Sequence, residues 1–500
     1  MCSIQDQEVL NKNNRRIICW GVGGKRGKEY RCGARVDDPE IISEVEELIG
    51  RAKKRIEDHV LDGSWIMTYE NELKDLEKSI EIILKGKYDD SIIYTIKGVI
   101  ERIKNYVSKD LARFWNRVRD EIIEIIRHGE VMVRKTRTGM TIVIMGDHVR
   151  LTVQRINSSI IIRISFRRIR SVKIHVQDIW STDMTPEQLG FEASDMGMAG
   201  NKLMMSTTHL WQLILGLLLF HGDSSIKASA LSVKSNKTKI VWRMRSLSYN
   251  WRDALRIAKN LTNEGIVRYL LSFILGDGYV SSKHREIRLI TAKSDIKTWE
   301  EILEKLNYDS SEKIIWSIDD KTSLSNAVRV RFNSTNAILL SKMILNKTPP
   351  MMADLLTILN VEKWNEVVKM ANMSVNRRVR QVRFHGISFS VFIKKGKVLL
   401  VKRYSDPQRI KNVINVLKSI LNEKAMRIQK WGNTYALVIL VSESEIVSNN
   451  AVFQELKPQI LSIICKRYEK SRNKKELIKA ISSIAPIEIN SCGHNNSGKL

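Results

Sequence analysis

Residues 270–280, Leu-Leu-Ser-Phe-Ile-Leu-Gly-Asp-Gly-Tyr-Val, constrain the fold of this chain more than any other stretch. The run predicts an apolar helix that stops at Gly276-Asp277-Gly278 and hands over to a strand. A carboxylate at the C-terminal end of a buried helix meets the partial negative charge of the helix dipole. A position that accepts Asp277 there calls for a cation beside it, either a metal or a basic side chain. On their own, Gly-Asp-Gly also suit a plain helix cap and turn.

The residues that follow extend the pattern. Positions 279–282 and 286–291 alternate like a hairpin, and 294–306 reads as an amphipathic helix through Ile296, Trp299, Ile302, Leu303 and Leu306. A second strand pair is expected at 313–318 and 327–332, then a helix at 335–345. Val328, Val330 and Phe332 share one face of the last strand, with Arg329 and Arg331 on the other. A sheet with an apolar face against helices and an arginine face outward suits a nucleic-acid duplex. It also suits a solvated surface.

Over residues 266–346, the nonapeptide 270–278 and this element order resemble the LAGLIDADG homing endonucleases and their maturase and regulator relatives. The resemblance implies an α+β fold with a LAGLIDADG-type αββαββα core. It puts Asp277 on the acidic metal-binding position and implies Mg²⁺ as cofactor, double-stranded DNA as partner and hydrolysis of phosphodiesters. RNA is the second candidate partner. More loosely, the ordering is similar to uncharacterised archaeal repeat-encoded proteins of the PaRep type, which implies a mobile-element origin.

A partner for Asp277 is sought upstream. Residues 213–223 again read as an apolar helix ending in Gly222-Asp223-Ser224, followed by a hairpin at 226–234 and 239–246 and a helix at 251–261. This alignment makes Asp223 the second metal carboxylate, facing Asp277 where two helices pack. Two features depart from the pattern. The unit is too short for a second strand pair, and Leu218 stands where the downstream helix has the small Ser272. The first unit is therefore read as shortened, and His221 as a core or cap histidine. Lys293, just after the second strand, is the expected catalytic basic group. The DNA-contacting set is Lys227, Lys234, Arg243, Arg245, Lys283, Arg285, Arg288, Arg329 and Arg331.

Charge supports a polyanionic partner. Lys and Arg number 83 against 55 Asp and Glu, a formal net charge of +28, and backbone contacts dominate nucleic-acid affinity. The 500 residues suggest ~3 domains. The five cysteines show no paired or zinc-like spacing, which together with the lack of a secretory leader points to a reducing cytoplasm. No stretch reaches the ~20 apolar residues of a membrane span.

The rest of the chain divides as follows. Residues 1–36 hold a short strand at 15–20 and a glycine-rich loop at 21–27 whose spacing is not that of a P-loop. A helical region at 37–129 is read as a packing or homo-oligomerisation layer, and an antiparallel β-meander occupies 130–181. Residues 182–206 read as a linker, 207–346 as the core, 349–485 as a C-terminal α+β domain and 486–500 as a polar tail. Two further functions stay open: a catalytically decayed binder of the regulator or maturase kind, and a structural or oligomerisation protein.

Overall fold

The computed structural model describes residues 17–19, 39–136, 139–234, 237–249, 253–307, 314–319, 326–374, 381–384, 387–404, 407–418, 421, 425–431, 434–441, 450–470 and 474–484. The glycine-rich loop and the polar tail lie outside them.

After β1 (Ile17–Cys19), helices α1 (Pro39–His59) and α2 (Ser64–Leu84) each bury one stripe, led by Val45, Leu48, Ala52 and Ile56 on α1 and by Trp65, Tyr69 and Leu73 on α2. α3 (Asp90–Asn105) runs through a π-helical turn at Tyr106–Leu111 into α4 (Ala112–His128). The expected meander follows as β2 (Val131–Thr136), β3 (Gly139–Met145), β4 (Val149–Ile156), β5 (Ser159–Phe166) and β6 (Val172–Val176). Arg155 on β4 pairs with Glu44 on α1, so the helices cover the β4 face that carries Val149, Leu151 and Val153.

The next stretch corrects the sequence reading. Residues 182–206 are not a linker. They contain α5 (Thr185–Asp195), β7 (Met196–Ala199) and β8 (Lys202–Thr207). α6 (Leu210–Leu219), β9 (Gly222–Lys234), β10 (Lys237–Ser246) and a short α7 (Ala254–Ala258) complete the first unit. The second unit is α8 (Asn263–Asp277), β11 (Tyr279–Ser281), β12 (Glu286–Ala292), α9 (Ile296–Glu304), β13 (Ser317–Asp319), β14 (Ala327–Asn333) and α10 (Thr335–Lys347). The same helix–strand–strand–helix–strand–strand–helix order therefore occurs twice, and the first unit is not shortened. Strand order repeats too: β7-β8-β10-β9 in the first and β11-β12-β14-β13 in the second. In the first unit, β5 and β6 pair with the outer strand β9 and join the meander to one 10-stranded sheet.

Two helices follow, α11 (Pro350–Ile358) and α12 (Glu362–Ala371), parted where Asn360 takes a left-handed backbone with φ 48. Both belong to the larger compact unit, which ends at Val375, rather than to the domain expected from 349. The smaller unit, Asn376–Leu500, is again α+β. It contains β15 (Gln381–Phe384), β16 (Ile387–Lys394), β17 (Lys397–Tyr404), α13 (Pro407–Lys418), β18 (Met426–Trp431), β19 (Thr434–Leu440), α14 (Asn450–Lys470) and α15 (Lys475–Ile484). Its sheet runs β15-β16-β17-β19-β18, with its own core around Phe384, Phe389, Leu437 and Ile460. Cys465 on α14 is disulfide-bonded, which the cysteine spacing did not foreshadow. Among the described residues no helix is long and apolar enough to cross a membrane.

Candidate functional site

The helix packed lengthwise against α8 is α5. Read backward from its last residue, α5 gives Asp195, Ser194 and Gly190, and α8 gives Asp277, Gly276 and Ser272 at the same offsets. Small residues thus face each other across the seam. A Cβ placed on Gly190 would collide with the Tyr269 carbonyl oxygen and stand 2.9 Å from Ser272 Cβ. One on Gly276 would collide with Ser194 Oγ and Asp195 Oδ2. The Asp195 carboxylate therefore lies against the residue that precedes Asp277.

Further contacts set the helix register. Glu187 on α5 is fully buried and takes a bidentate pair from Arg268 on α8, Nε to Oε1 at 2.6 Å and Nη2 to Oε2 at 2.7 Å. Arg268 also donates to the Asp183 carbonyl at 2.6 Å. At the other end of the seam, Gln212 Nε2 donates to Asp195 Oδ2 at 2.8 Å. Lys363 on α12 donates to the Leu275 carbonyl at 2.9 Å and to that of Gly276. The carbonyls at the negative end of α8 are thus met by an ammonium group. One turn along α12, Glu366 accepts from the Ser282 amide at 2.8 Å, and these Ser282 hydrogen bonds hold its carboxyl down at about 2.

The electrostatics of the seam follow from this crowding. Burial, then the neighbouring charge of Asp277, pushes the Asp195 carboxyl up to about 6, opposed by Lys363 and Gln212. Partial desolvation raises Asp277 as well, with Lys363 pulling it down. Desolvation lowers the Lys363 ammonium, and Asp195 and Asp277 draw it back up. Two carboxyls whose ionised forms are both disfavoured are a donor pair that a cation would relieve. A cavity of 960 Å³ opens beside the seam, lined by Glu192, Asp253, Phe273, Asp277, Asp295 and Trp299 among others. Burial pushes the Glu192 carboxyl there up to about 7.

The expected partner, Asp223, is elsewhere. It opens β9, is 69% exposed and pairs with His175 Nδ1 on β6 at 2.9 Å. α6, the helix before it, is buried on every side as the second helix of its unit, which is why a bulky Leu218 fits there. Lys293 stands exposed in the turn after β12, its amide donating to the Asn326 carbonyl at 2.9 Å, and is not among the described residues lining the Asp277 cavity. The ammonium group at the seam is that of Lys363, which motif reading had no way to single out, since it lies 86 positions beyond Asp277 (363 − 277). Asp195 did leave a signal: Gly190, Ser194 and Asp195 repeat the spacing of Ser272, Gly276 and Asp277.

The basic residues divide unevenly. Lys227 faces Arg243, and Ser225 faces Arg245, across β9 and β10, all on the sheet face away from Trp242 and Met244. Lys234 ends β9, while Lys283 and Arg285 are exposed in the turn between β11 and β12. Arg288 and Arg331 were expected to be open to a ligand, yet both bind Glu286, which is 4% exposed, and Arg331 Nη1 also reaches Asp319 at 3.4 Å. Hydrogen bonds from Arg288 and Arg331 hold the Glu286 carboxyl below its usual range. Arg329 lies opposite Ile290 and Asp319.

No protein-family model and no curated protein matches this chain. Among solved structures it is similar to I-DmoI in complex with DNA and Ca, at 15% identity and a TM-score of 0.26, over 34% of this chain and 96% of that one. It is also similar to mesophilic variants of the homing endonuclease I-DmoI, at 14% identity and a TM-score of 0.26 over the same shares. A third is the LAGLIDADG meganuclease I-AabMI bound to uncleaved DNA, at 13% identity and a TM-score of 0.12, over 44% of this chain and 97% of that one.

Proposed function

We propose that this chain is a DNA-binding protein of mobile-element origin, built on two tandem LAGLIDADG-type half-units, with Asp195 and Asp277 as its metal carboxylates. The observation that carries this reading is the α5/α8 seam, whose small residues bring two aspartates together at the helix ends. The donor set fits Mg²⁺, which binds through one or two carboxylates and completes its shell with water and phosphate oxygens. Among the described residues no group of three or more His, Cys, Asp or Glu could hold a metal ion, so the remaining ligands would come from solvent and substrate. When bound, the ion would supply a more acidic water and take up charge on the phosphate. Gln212 fixes the Asp195 carboxylate, Arg268 and Glu187 hold the helix register, and Lys363 fixes the carbonyl end of α8.

Lys363 also favours a second reading. An ammonium bonded to the last α8 carbonyls and attracted by both carboxylates supplies part of the neutralisation a metal would bring, leaving a binder without cleavage. One experiment separates the two. The purified chain is incubated with a randomised duplex pool with Mg²⁺ or EDTA, in parallel with Asp195→Asn and Asp277→Asn. Metal-dependent nicking lost in both variants, with binding retained, supports the nuclease. Salt-sensitive binding without nicking supports the second reading. Nicking that survives Asp277→Asn removes the site, and absence of binding near physiological salt removes both readings.

A further inference from the structure

We propose that the β2–β5 meander is a second duplex-DNA-contacting surface, continuous with the β9/β10 face, which makes the footprint longer on the side of the first half-unit. The proposal rests on the DNA-binding reading above, and goes beyond it by assigning a partner to strands outside both half-units.

Register makes the two surfaces one. The helices cover the face bearing Val149, Leu151 and Val153, so Arg150, Thr152 and Gln154 point to the opposite side. Pairing carries that side across the sheet in a row: Arg134 opposite Thr141, Thr141 opposite Gln154, Gln154 opposite Ile161, and Ile161 opposite Lys234 on β9. A β-bulge at Ser229 separates the two halves of β9 and restores Lys227 to the same face, opposite Arg243. Arg163 on β5 lies on this face as well, near enough to Arg243 for the two charges to disfavour each other.

Charge names the occupant. Strands β2, β3, β4 and β5 contain no Asp or Glu, and Arg155, on the covered face, is the arginine that meets Glu44. Arg134 and Arg163 are exposed. The second half-unit is the internal contrast, since Glu286 and Asp319 already neutralise Arg288 and Arg331 on its face. Exposed Arg134, Gln154, Arg163 and Lys234 on one sheet face, interleaved with hydroxyl side chains, suit a polyanionic backbone. Four further strands at ~4.8 Å spacing add ~20 Å, more than half of the ~34 Å turn of B-DNA.

The test uses the full chain and duplexes of graded length. For Arg134→Gln/Arg163→Gln, the slope of log affinity against log salt should fall by roughly two. The shortest duplex bound at full affinity should shorten by about six base pairs, at ~3.4 Å each. Both positions are exposed, and an unchanged thermal melt confirms the fold. If slope and minimum length stay at parental values while Arg243→Gln/Arg245→Gln weakens binding, the DNA-binding reading stands and the meander assignment fails. If the parent binds no duplex, both fail.

Discussion

Asp195 and Asp277 share one counter-charge, and that shortage sets what pH and mutation do at the seam. The Asp195 carboxyl is raised from 3.8 to about 6, so between those values the folded chain holds a proton that the unfolded chain has released. Its contribution is greatest below the ordinary carboxyl range and is lost as pH rises through about 6. Asp195→Asn should therefore raise stability at neutral pH by about 1–3 kcal/mol and flatten the stability profile across the same window, as urea melts would read. A less stable variant would show that the Gln212 hydrogen bond outweighs the repulsion. Lys363→Met removes the shared cation, so it should destabilise the chain at neutral pH and make it more responsive to added Mg²⁺ in thermal melts. At this scale the sequence was half readable. Asp277 announces itself through Gly-Asp-Gly after an apolar run, whereas Asp195 closes a helix whose Glu187, Gln188, Glu192 and Ser194 look like linker composition. Hydropathy led instead to α6 and Asp223, because the most apolar segment of the first unit is its second helix.

The α5/α8 pair tolerates almost no added bulk. A methyl on Gly190 meets backbone at Tyr269, which cannot rotate away, so Gly190→Ala should cost about 1–3 kcal/mol or more in chemical denaturation. At Gly276 the obstructing atoms belong to the Ser194 and Asp195 side chains, and the larger effect of Gly276→Ala should fall on the placement of Asp195. Glu187→Gln leaves the Arg268 guanidinium, 11% exposed, without its counter-charge and should destabilise by about 3–5 kcal/mol. Glu187→Leu/Arg268→Met, which removes both charges, should cost less than either single change; an additive loss would mean the pair is not what registers the helices. The second half-unit was legible at this scale because its strands alternate and its helices are amphipathic. The first was not, because β7 and β8 are short and rich in Met, Gly and Ser, with little alternation to read.

Across the whole molecule, the net charge of +28 is less informative than its distribution. Arg243→Gln/Arg245→Gln should reduce the salt dependence of nucleic-acid binding. Arg288→Gln/Arg331→Gln should leave that slope nearly unchanged and lower thermal stability, since Glu286 would remain in the sheet without its counter-charges. Equal effects of the two pairs on the slope would show that the Glu286 pairing does not hold in solution. Composition pointed to a polyanion but could not say which face carries the charge, because sheet register, not residue type, puts Arg163, Lys227 and Arg243 on one face. The tandem arrangement carries one more consequence. Two copies of a single half-unit would be obliged to read the same half-site twice, in mirror order. Here each half has its own residues, and one of them is widened by borrowed strands. Selection from random duplexes should accordingly return a consensus without a palindrome, with its longer arm on the side of the meander.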